Sequence, residues 1–244
     1  YTTTNPQACE MYIKLIEVRN KIAQLEGYNS FEEYAYAYSG ADYSPEDIKQ
    51  YREHVKKYFA DGYIDVYSTS FGSLTQEFTT DQAFEALQSV CENSPTMTEA
   101  YNYMKENNLY NVEGSKNKVA GAFEMYLYAY DSPFIVVNSD DTLAGATDIA
   151  HEFGHFYDDY VNWTSMRDVT ECTDTSEIFS QAMEYMVLYN MPKFVDGDVA
   201  DELTAYMYKQ NYQTFVEQTY YNELESVLYN TEDLTVEKVN EIAG

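Results

Sequence analysis

The segment His151-Glu152-Phe153-Gly154-His155 carries two histidines four positions apart with a glutamate directly after the first. In an α-helix of 3.6 residues per turn, positions i and i+4 share a face, so the imidazoles of His151 and His155 can bind one metal ion. Glu152 then projects beside the same ion, where its carboxylate can accept a proton from a water molecule. The stretch therefore predicts a metal-binding helix with a general base next to the metal.

This spacing matches the H-E-x-x-H pattern that is typical of zinc peptidases, in which the two histidines bind zinc and the glutamate is the catalytic base. The alternative is a surface helix that carries two solvated histidines. The chain has only 3 histidines, and two of them lie here, which favours the metal site. The predicted cofactor is one zinc ion.

The preceding residues predict the start and the buried face of this helix. Asp140, Asp141 and Thr142 are three candidates for the N-cap. An apolar stripe at helical spacing predicts the face that packs on the core, and it comprises Leu143, Ala146, Ile149, Ala150 and Phe153. Gly154 costs about 1 kcal/mol in a helix relative to alanine, which calls for a reason such as the close approach of another backbone.

A second helix is predicted from Thr173 to Leu188, with Thr173, Asp174 or Thr175 as its N-cap. Its apolar positions predict a core-facing side that comprises Ile178, Ala182, Tyr185 and Met186. The opposite side carries Glu177, Ser180, Gln181 and Glu184.

A catalytic zinc site needs a third protein ligand and one open position. We predict Glu177 as that ligand, because the 26 positions from His151 (177 − 151) leave room for a turn and an antiparallel return. We predict that Glu184 accepts a hydrogen bond from a ligand histidine and that Asp148 supports the site from the same surroundings. For both glutamates the alternative is a solvated acidic face.

Only residues 119–138 favour β-structure, with a turn at Asp131-Ser132-Pro133 and an apolar strand over Phe134 to Val137. Beside a metal helix, such a strand can form the edge of a small sheet on which an extended peptide pairs its backbone. The alternative is a hairpin with a structural role only.

The chain resembles the thimet oligopeptidase and oligoendopeptidase F family of zinc metallopeptidases. The resemblance rests on blocks in the family's order, which are Gly121-Ala122-Phe123, the P-F-I-x-x-N segment Pro133–Asn138, the metal helix Thr147–His155, the E-x-x-S-x-x-x-E segment Glu177–Glu184, and weaker matches at Leu15–Gly27 and Leu234–Asn240. It implies His151, His155 and Glu177 as zinc ligands, Glu152 as general base and acid, and Gly121, Ala122 and Phe123 as substrate-binding residues. It also implies a channel that limits substrates to short peptides.

Two positions depart from the family's pattern. Asp158 stands where many members have a histidine three residues after the second ligand. The family also uses a histidine and several tyrosines near its C-terminus to stabilise the oxyanion, whereas the third histidine here is His54, far upstream. We therefore expect the chain to be a fragment of a longer enzyme.

The expected fold is mainly α, a zincin-like helical metallopeptidase catalytic region with a small β-sheet beside the metal helix. We expect a single catalytic region over 1–244, with a helical part (1–115), the sheet and metal site (116–190) and C-terminal helices (191–244). Besides the helices above, the sequence predicts helices at Met11–Glu26, Ser30–Tyr38, Ser44 to about Ala60, Asp81–Glu92 and Thr96–Asn107, and one long or two consecutive helices at Ala200–Tyr229.

Composition limits the class of partner. With 14 Lys and Arg against 42 Asp and Glu, the net charge of −28 disfavours nucleic acid, while 45% hydrophobic residues suffice for a core. The apolar runs are far too short for a membrane span.

Few lysines with abundant Tyr, Asp, Asn and Thr favour an exported or cell-surface protein over a cytoplasmic one. Of three cysteines, Cys9 and Cys91 are one conceivable pair with Cys172 left over, and the sequence indicates no oligomeric state.

Two functions from different classes follow. The first is a zinc-dependent endopeptidase of the oligopeptidase type that hydrolyses short peptides through a metal-activated water, with Glu152 as base. We expect the isolated chain to have low activity, because the C-terminal histidine and tyrosines of the family are missing from it. The second is a metal-containing module or pseudoenzyme that binds peptides without cleaving them, which the missing oxyanion donor favours and the intact Glu152 disfavours. A purely structural helical domain remains a third class.

Overall fold

The computed structural model describes residues 6–59, 72–162 and 175–243. The helices are α1 (Pro6–Leu25), α2 (Phe31–Tyr38), α3 (Pro45–Phe59), α4 (Thr80–Cys91), α5 (Pro95–Glu106), α6 (Leu143–Asn162), α7 (Glu177–Asn190), α8 (Gly197–Tyr229) and α9 (Val236–Ala243). The strands are β1 (Tyr110–Asn111), β2 (Ala122–Leu127) and β3 (Ser132–Val137). The expected mainly α fold with a small sheet is confirmed.

The described residues divide into two compact units. One contains residues 6–59 together with 209–243, and the other contains the described part of 72–208, including the sheet and α6. Their limits do not follow the predicted parts 1–115, 116–190 and 191–244. Whether the two units act as a single catalytic region stays a prediction.

In the first unit, α1 buries one apolar face against the end of α8 and against α9. The buried cluster comprises Cys9, Ile13, Ile16, Leu228, Tyr229 and Val239. Arg19 donates from Nη1 to the hydroxyl of Tyr229 at 2.5 Å, and the Asn20 side chain donates to the carbonyl of the same tyrosine at 2.9 Å. These hydrogen bonds join α1 to the last residue of α8.

In the second unit, α6 lies at the centre of the core. Phe153 and Phe156 are fully buried, and their rings stack 5.9 Å apart. Helices α4, α5 and α7 pack around α6, and the sheet covers another of its sides. Each fully buried aromatic side chain contributes on the order of 2 kcal/mol to the stability of the fold. The helix that carries the metal motif is therefore firmly held by its neighbours in this unit.

The sheet has the strand order β1-β3-β2. Central β3 pairs antiparallel with β2 and parallel with β1, with Glu124 and Tyr110 both opposite Ile135. Strand β1 was not predicted, and it lies inside the segment expected to be helical. Two residues are too short to show an alternating pattern, so only the pairing with β3 reveals this strand.

The starts of α2 to α5 lie within one residue of the predicted positions, whereas α1 begins at Pro6 rather than Met11. Ser94 caps α5 by accepting a hydrogen bond from the backbone N–H of Met97, and Pro95 follows at the first turn. Residues 200–229 form part of one continuous helix, α8, rather than two. Among the described residues, no helix combines the length and apolar character needed to cross a bilayer.

The cysteines do not form the pair considered from the sequence. Cys9 and Cys91 are both free thiols, each buried in the core of a different unit. Burial raises the pKa of the Cys91 thiol to about 12, which keeps it protonated and unreactive. Cys172 lies outside the described residues.

Candidate metal centre

Helix α6 begins as one of the three candidate caps predicts. The Oγ1 of Thr142 accepts a hydrogen bond from the backbone N–H of Gly145 at 3.2 Å, so Thr142 rather than Asp140 or Asp141 is the N-cap. The predicted apolar stripe is buried throughout, and it comprises Leu143, Ala146, Ile149, Ala150 and Phe153. Burial of this stripe fixes the rotation of α6 and so directs His151 and His155 towards α7.

The structure brings together the three predicted ligands His151, His155 and Glu177. The Nε2 atoms of the two histidines are 3.2 Å apart, and Oε2 of Glu177 lies 3.3 Å from one and 3.5 Å from the other. Ligand atoms about 2.0–2.2 Å from a tetrahedral ion are about 3.3–3.6 Å from one another. The three atoms therefore have the spacing of one face of a tetrahedral zinc site, and the residues present fit the ion.

Glu177 is held in place by its own helix. The buried Ser180 donates a hydrogen bond from Oγ to Oε2 of Glu177 at 2.7 Å. The Glu177 side chain is 52% exposed, so this bond limits the rotation of an otherwise mobile group. Sequence reasoning placed Ser180 on the polar face of α7 but did not assign it this role.

Helix α7 is rotated relative to its prediction. Ile178, Ala182 and Met186 were expected to face the core, but all three are exposed, and Tyr185 is only half-buried. The buried residues are Ser180, Met183, Val187, Leu188 and Asn190. The physical reason is that Glu177 and Glu184 must face α6 to reach its histidines, which turns the Ile178 side towards solvent.

The predicted N-cap of α7 is also wrong within the described residues. Ser176 precedes the helix, its side chain makes no capping hydrogen bond, and Thr175 lies one position too early. Thr173 and Asp174 lie outside the described residues.

Gly154 is the point at which α6 and α7 touch. A Cβ atom at this position would lie 2.3 Å from Cα of Ser180 and 2.5 Å from the carbonyl oxygen of Phe179. Both are backbone atoms, so neither can move aside without shifting α7. The close backbone approach predicted for this glycine is thus observed, and it sets the distance between the two helices that carry the ligands.

Glu184 contacts the histidine that it was predicted to support. Its Oε1 is 2.5 Å from Nδ1 of His151, which leaves Nε2 of the same ring towards Glu177. Burial lowers the pKa of His151, but the hydrogen bond and charge of Glu184, with the charges of Glu152 and Glu177, outweigh burial and raise it. A carboxylate that accepts from Nδ1–H keeps the Nε2 lone pair free for a metal.

Glu152 is 5% exposed and lies next to the ligands. Burial raises the pKa of its carboxyl to about 7, with contributions from Asp148 and Glu177, although the charge of His151 lowers it. The backbone of Glu124 also hydrogen-bonds to this carboxyl. A base with a pKa near neutrality can both accept and return a proton at physiological pH.

Asp148 is exposed one turn before Glu152. The pKa of its carboxyl is raised, first because surrounding protein displaces water from it and second because Glu184 is near. No direct hydrogen bond from Asp148 to a ligand is found in the described part of the chain, so its supporting role stays a prediction.

Two acidic residues beside Glu152 were missed from the sequence. The side chain of Glu124 hydrogen-bonds to Asp159 of α6, which is buried. Burial and the charge of Asp159 raise the pKa of Glu124 to about 8, and its Oε1 atom is buried without a hydrogen-bond partner. In the sequence, Glu124 is an isolated acid in a strand, and only the packing of β2 on α6 brings it to Asp159.

Glu124 predicts a measurable pH dependence of stability. Its pKa in the fold, about 8, exceeds the ordinary value, so folding favours the neutral carboxyl, and its contribution to stability is lost as pH rises from about 4.5 through 8. Glu124→Gln removes this ionisation. The melting temperature of the variant relative to wild type should therefore rise by several degrees between pH 5 and pH 9.

That comparison is made in excess chelator, so that metal binding does not contribute. Asp158→Asn removes a neighbouring charge from the same helix α6 and serves as the control. If the difference in melting temperature between Glu124→Gln and wild type is the same at every pH, the raised pKa of Glu124 is contradicted.

Gly121 immediately precedes β2, and Ala122 and Phe123 are its first two residues; among the described strands, β2 pairs with β3 alone. Gly121 and Phe123 are exposed and Ala122 is half-buried. Because the backbone of Glu124 contacts the Glu152 carboxyl, this edge lies beside the metal helix. The strand predicted at the edge, Phe134 to Val137, is instead part of the central strand β3, because β1 pairs with its other side. Since no other described strand pairs with the outer side of β2, that side is the one on which an extended chain could pair.

Three solved structures have a fold similar to that of this chain. A protein provisionally named oligoendopeptidase F superposes with a TM-score of 0.72 at 22% identity over 96% of this chain. Pz peptidase A, solved with an inhibitor, gives 0.73 at 22% identity over 96% of this chain. A further protein provisionally named oligoendopeptidase F, from Bacillus anthracis str. Ames, gives 0.73 at 20% identity over 97%.

These similarities concern the fold and only part of each relative. The chain spans 45% of the first two structures and 47% of the third. No protein-family model matches the sequence, and the search of curated proteins gave no match. The fold expected from the resemblance is confirmed: this chain has the fold of roughly half of an oligoendopeptidase F-type peptidase.

Proposed function

We propose that the protein is a zinc-dependent endopeptidase that hydrolyses short peptides. The observation that carries this proposal is the group of His151, His155 and Glu177 at tetrahedral spacing, with the buried Glu152 beside it. Two histidines, one glutamate and an adjacent carboxylate are the protein components that metal-assisted amide hydrolysis requires.

The residues have distinct roles in this reaction. When bound, zinc supplies a Lewis acid that lowers the pKa of water and polarises a carbonyl. Glu152 accepts the proton of the attacking water and returns it to the leaving amine, which a pKa of about 7 permits in both directions. Glu184 fixes the His151 ring, and Ser180 fixes the Glu177 carboxylate.

The substrate is placed by the edge of the sheet. An extended peptide that pairs with β2 at Gly121, Ala122 and Phe123 brings its backbone towards Glu152, because Glu124 of the same strand contacts that carboxyl. Backbone pairing gives affinity with little dependence on sequence. The net charge of −28 favours peptides over nucleic acids and adds attraction for cationic peptides.

A second function is a peptide-binding module that does not cleave. It is favoured by the histidine count, because His54 is the only histidine besides the two ligands and belongs to the other unit. From the composition, we also propose that the protein is exported or located at the cell surface.

The direct test compares zinc-loaded protein, chelated protein and Glu177→Ala in a mass-spectrometric digest of a peptide mixture. Zinc-loaded protein should cleave, chelation should abolish cleavage, and re-addition of zinc should restore it. Glu177→Ala should lower zinc affinity by about 100-fold or more, because loss of a direct ligand costs more than loss of a residue that only supports one. Elemental analysis measures occupancy, and exposed Ile178→Ala on the same helix is the control.

Stoichiometric zinc without cleavage would support the binding module instead. Absence of zinc would contradict both functions. Full occupancy in Glu177→Ala would place the third ligand elsewhere.

A further inference from the structure

The connection from β1 to β2 crosses the carboxyl end of β3. Strands β1 and β2 flank β3 on opposite sides, β1 parallel and β2 antiparallel, so residues 112–121 pass over the end of β3 near Val137. This connection contains no helix or strand, yet it leads directly into the edge segment that begins at Gly121. Its conformation therefore decides where that edge begins.

Lys118 is the centre of this connection. Its Nζ donates to three backbone carbonyls, those of Asn111 at 3.1 Å, Glu113 at 2.6 Å and Val137 at 3.0 Å. An ammonium group has three protons and no acceptor, so these carbonyls satisfy it completely. The side chain thereby ties the end of β1, the connection and the end of β3 to one point.

Asn138 provides a second attachment, immediately after β3. Its Oδ1 accepts from the backbone N–H of Ser115 at 2.7 Å, and its Nδ2 donates to the carbonyl of Val119 at 3.3 Å. Its own backbone N–H donates to the carbonyl of Gly121 at 3.0 Å. Gly121 has a φ of +109°, which a residue with a side chain rarely adopts, so the chain enters β2 in a specific direction.

We propose that Lys118 and Asn138 are positioning residues that hold the Gly121–Phe123 edge in the place where peptide substrate pairs with it. This inference rests on the proposed peptidase function. Neither side chain reaches the metal ligands through a contact found in the described residues, so their effect is on substrate placement. Fixing a binding edge before the substrate arrives removes an ordering cost from binding.

The pattern of polar contacts supports positioning rather than direct substrate recognition. All three donors of Lys118 are already used within the protein, so its charge is not offered to a ligand. Lys116, in the same connection, is exposed, and none of the hydrogen bonds found in the described residues ties its ammonium to those carbonyls. It therefore provides a matched control.

The test compares Lys118→Met, Asn138→Leu and Lys116→Met in the zinc-loaded protein. Lys118→Met keeps the length of the stem and removes the donors. We expect KM to rise by about 10-fold or more in the first two variants, with a smaller change in kcat, because misplacement of a binding edge weakens pairing while Glu152 and the ligands are untouched. Zinc occupancy should stay stoichiometric, and Lys116→Met should match wild type.

A second measurement does not depend on activity. Amide hydrogen exchange should increase in 119–124 of Lys118→Met and Asn138→Leu, with no increase in α6. If the wild-type protein does not cleave peptides, the proposed function is contradicted, but the hydrogen-exchange result still tests whether Lys118 and Asn138 hold the edge. The positioning role would be overturned if both variants kept the KM and the amide exchange of wild type. It would also be overturned if they lost zinc together with activity.

Discussion

Replacing Glu152 with glutamine is expected to lower kcat/KM for peptide cleavage by about 10³-fold or more, while zinc stays bound. The amide cannot accept the proton of the attacking water, so the reaction loses its base and the acid that returns the proton. Metal binding should survive because His151, His155 and Glu177 are unchanged. Occupancy is measured by elemental analysis and cleavage by initial rates on a fluorogenic peptide.

Asp158→Asn is the control for this experiment, because it removes a carboxylate from the same helix at a position that was not predicted to be a ligand or a base. It should retain most of the activity. Loss of zinc from Glu152→Gln would reassign Glu152 as a ligand, and retention of activity would mean that another group accepts the proton.

The second large effect is expected from Gly154→Ala. The added methyl group would lie 2.3 Å from Cα of Ser180 and 2.5 Å from the Phe179 carbonyl oxygen, so α7 must move away from α6. Overpacking of this kind costs about 1–3 kcal/mol, and here the displaced segment also carries Glu177. Melting temperature and zinc occupancy should therefore fall together.

Gly197→Ala is the matched control, because a Cβ at the first residue of α8 meets no atom within 4 Å. It should leave both the melting temperature and zinc occupancy near wild type. If Gly154→Ala retains full zinc occupancy and stability, the close approach of α7 to Gly154 is not what sets the metal site.

The sequence predicted the parts of the site that depend on spacing within one helix. His151, Glu152 and His155 share a turn, and the apolar stripe that ends at Phe153 fixes which way they point. Glu177 and Glu184 followed because acids at helical spacing on an otherwise apolar helix indicate a polar role. Gly154, which is unfavourable inside a helix, correctly predicted the close approach of another segment's backbone.

The features that the sequence did not reveal depend on packing between elements. The exposure of Ile178 and Met186 follows from the requirement that two glutamates reach α6, which overrides the apolar pattern of α7. The pair of Glu124 and Asp159 joins residues 35 positions apart (159 − 124) across a strand and a helix. Lys118 satisfies carbonyls in three segments, and no local pattern marks such a role.

The proposed site holds one zinc ion between α6 and α7 through three side chains. Anomalous diffraction from zinc-soaked crystals, recorded on both sides of the zinc absorption edge, tests this most directly. We predict a single strong peak about 2.0–2.2 Å from Nε2 of His151, Nε2 of His155 and a carboxylate oxygen of Glu177. A peak at another location, or none with these side chains directed away from one another, would contradict the assignment.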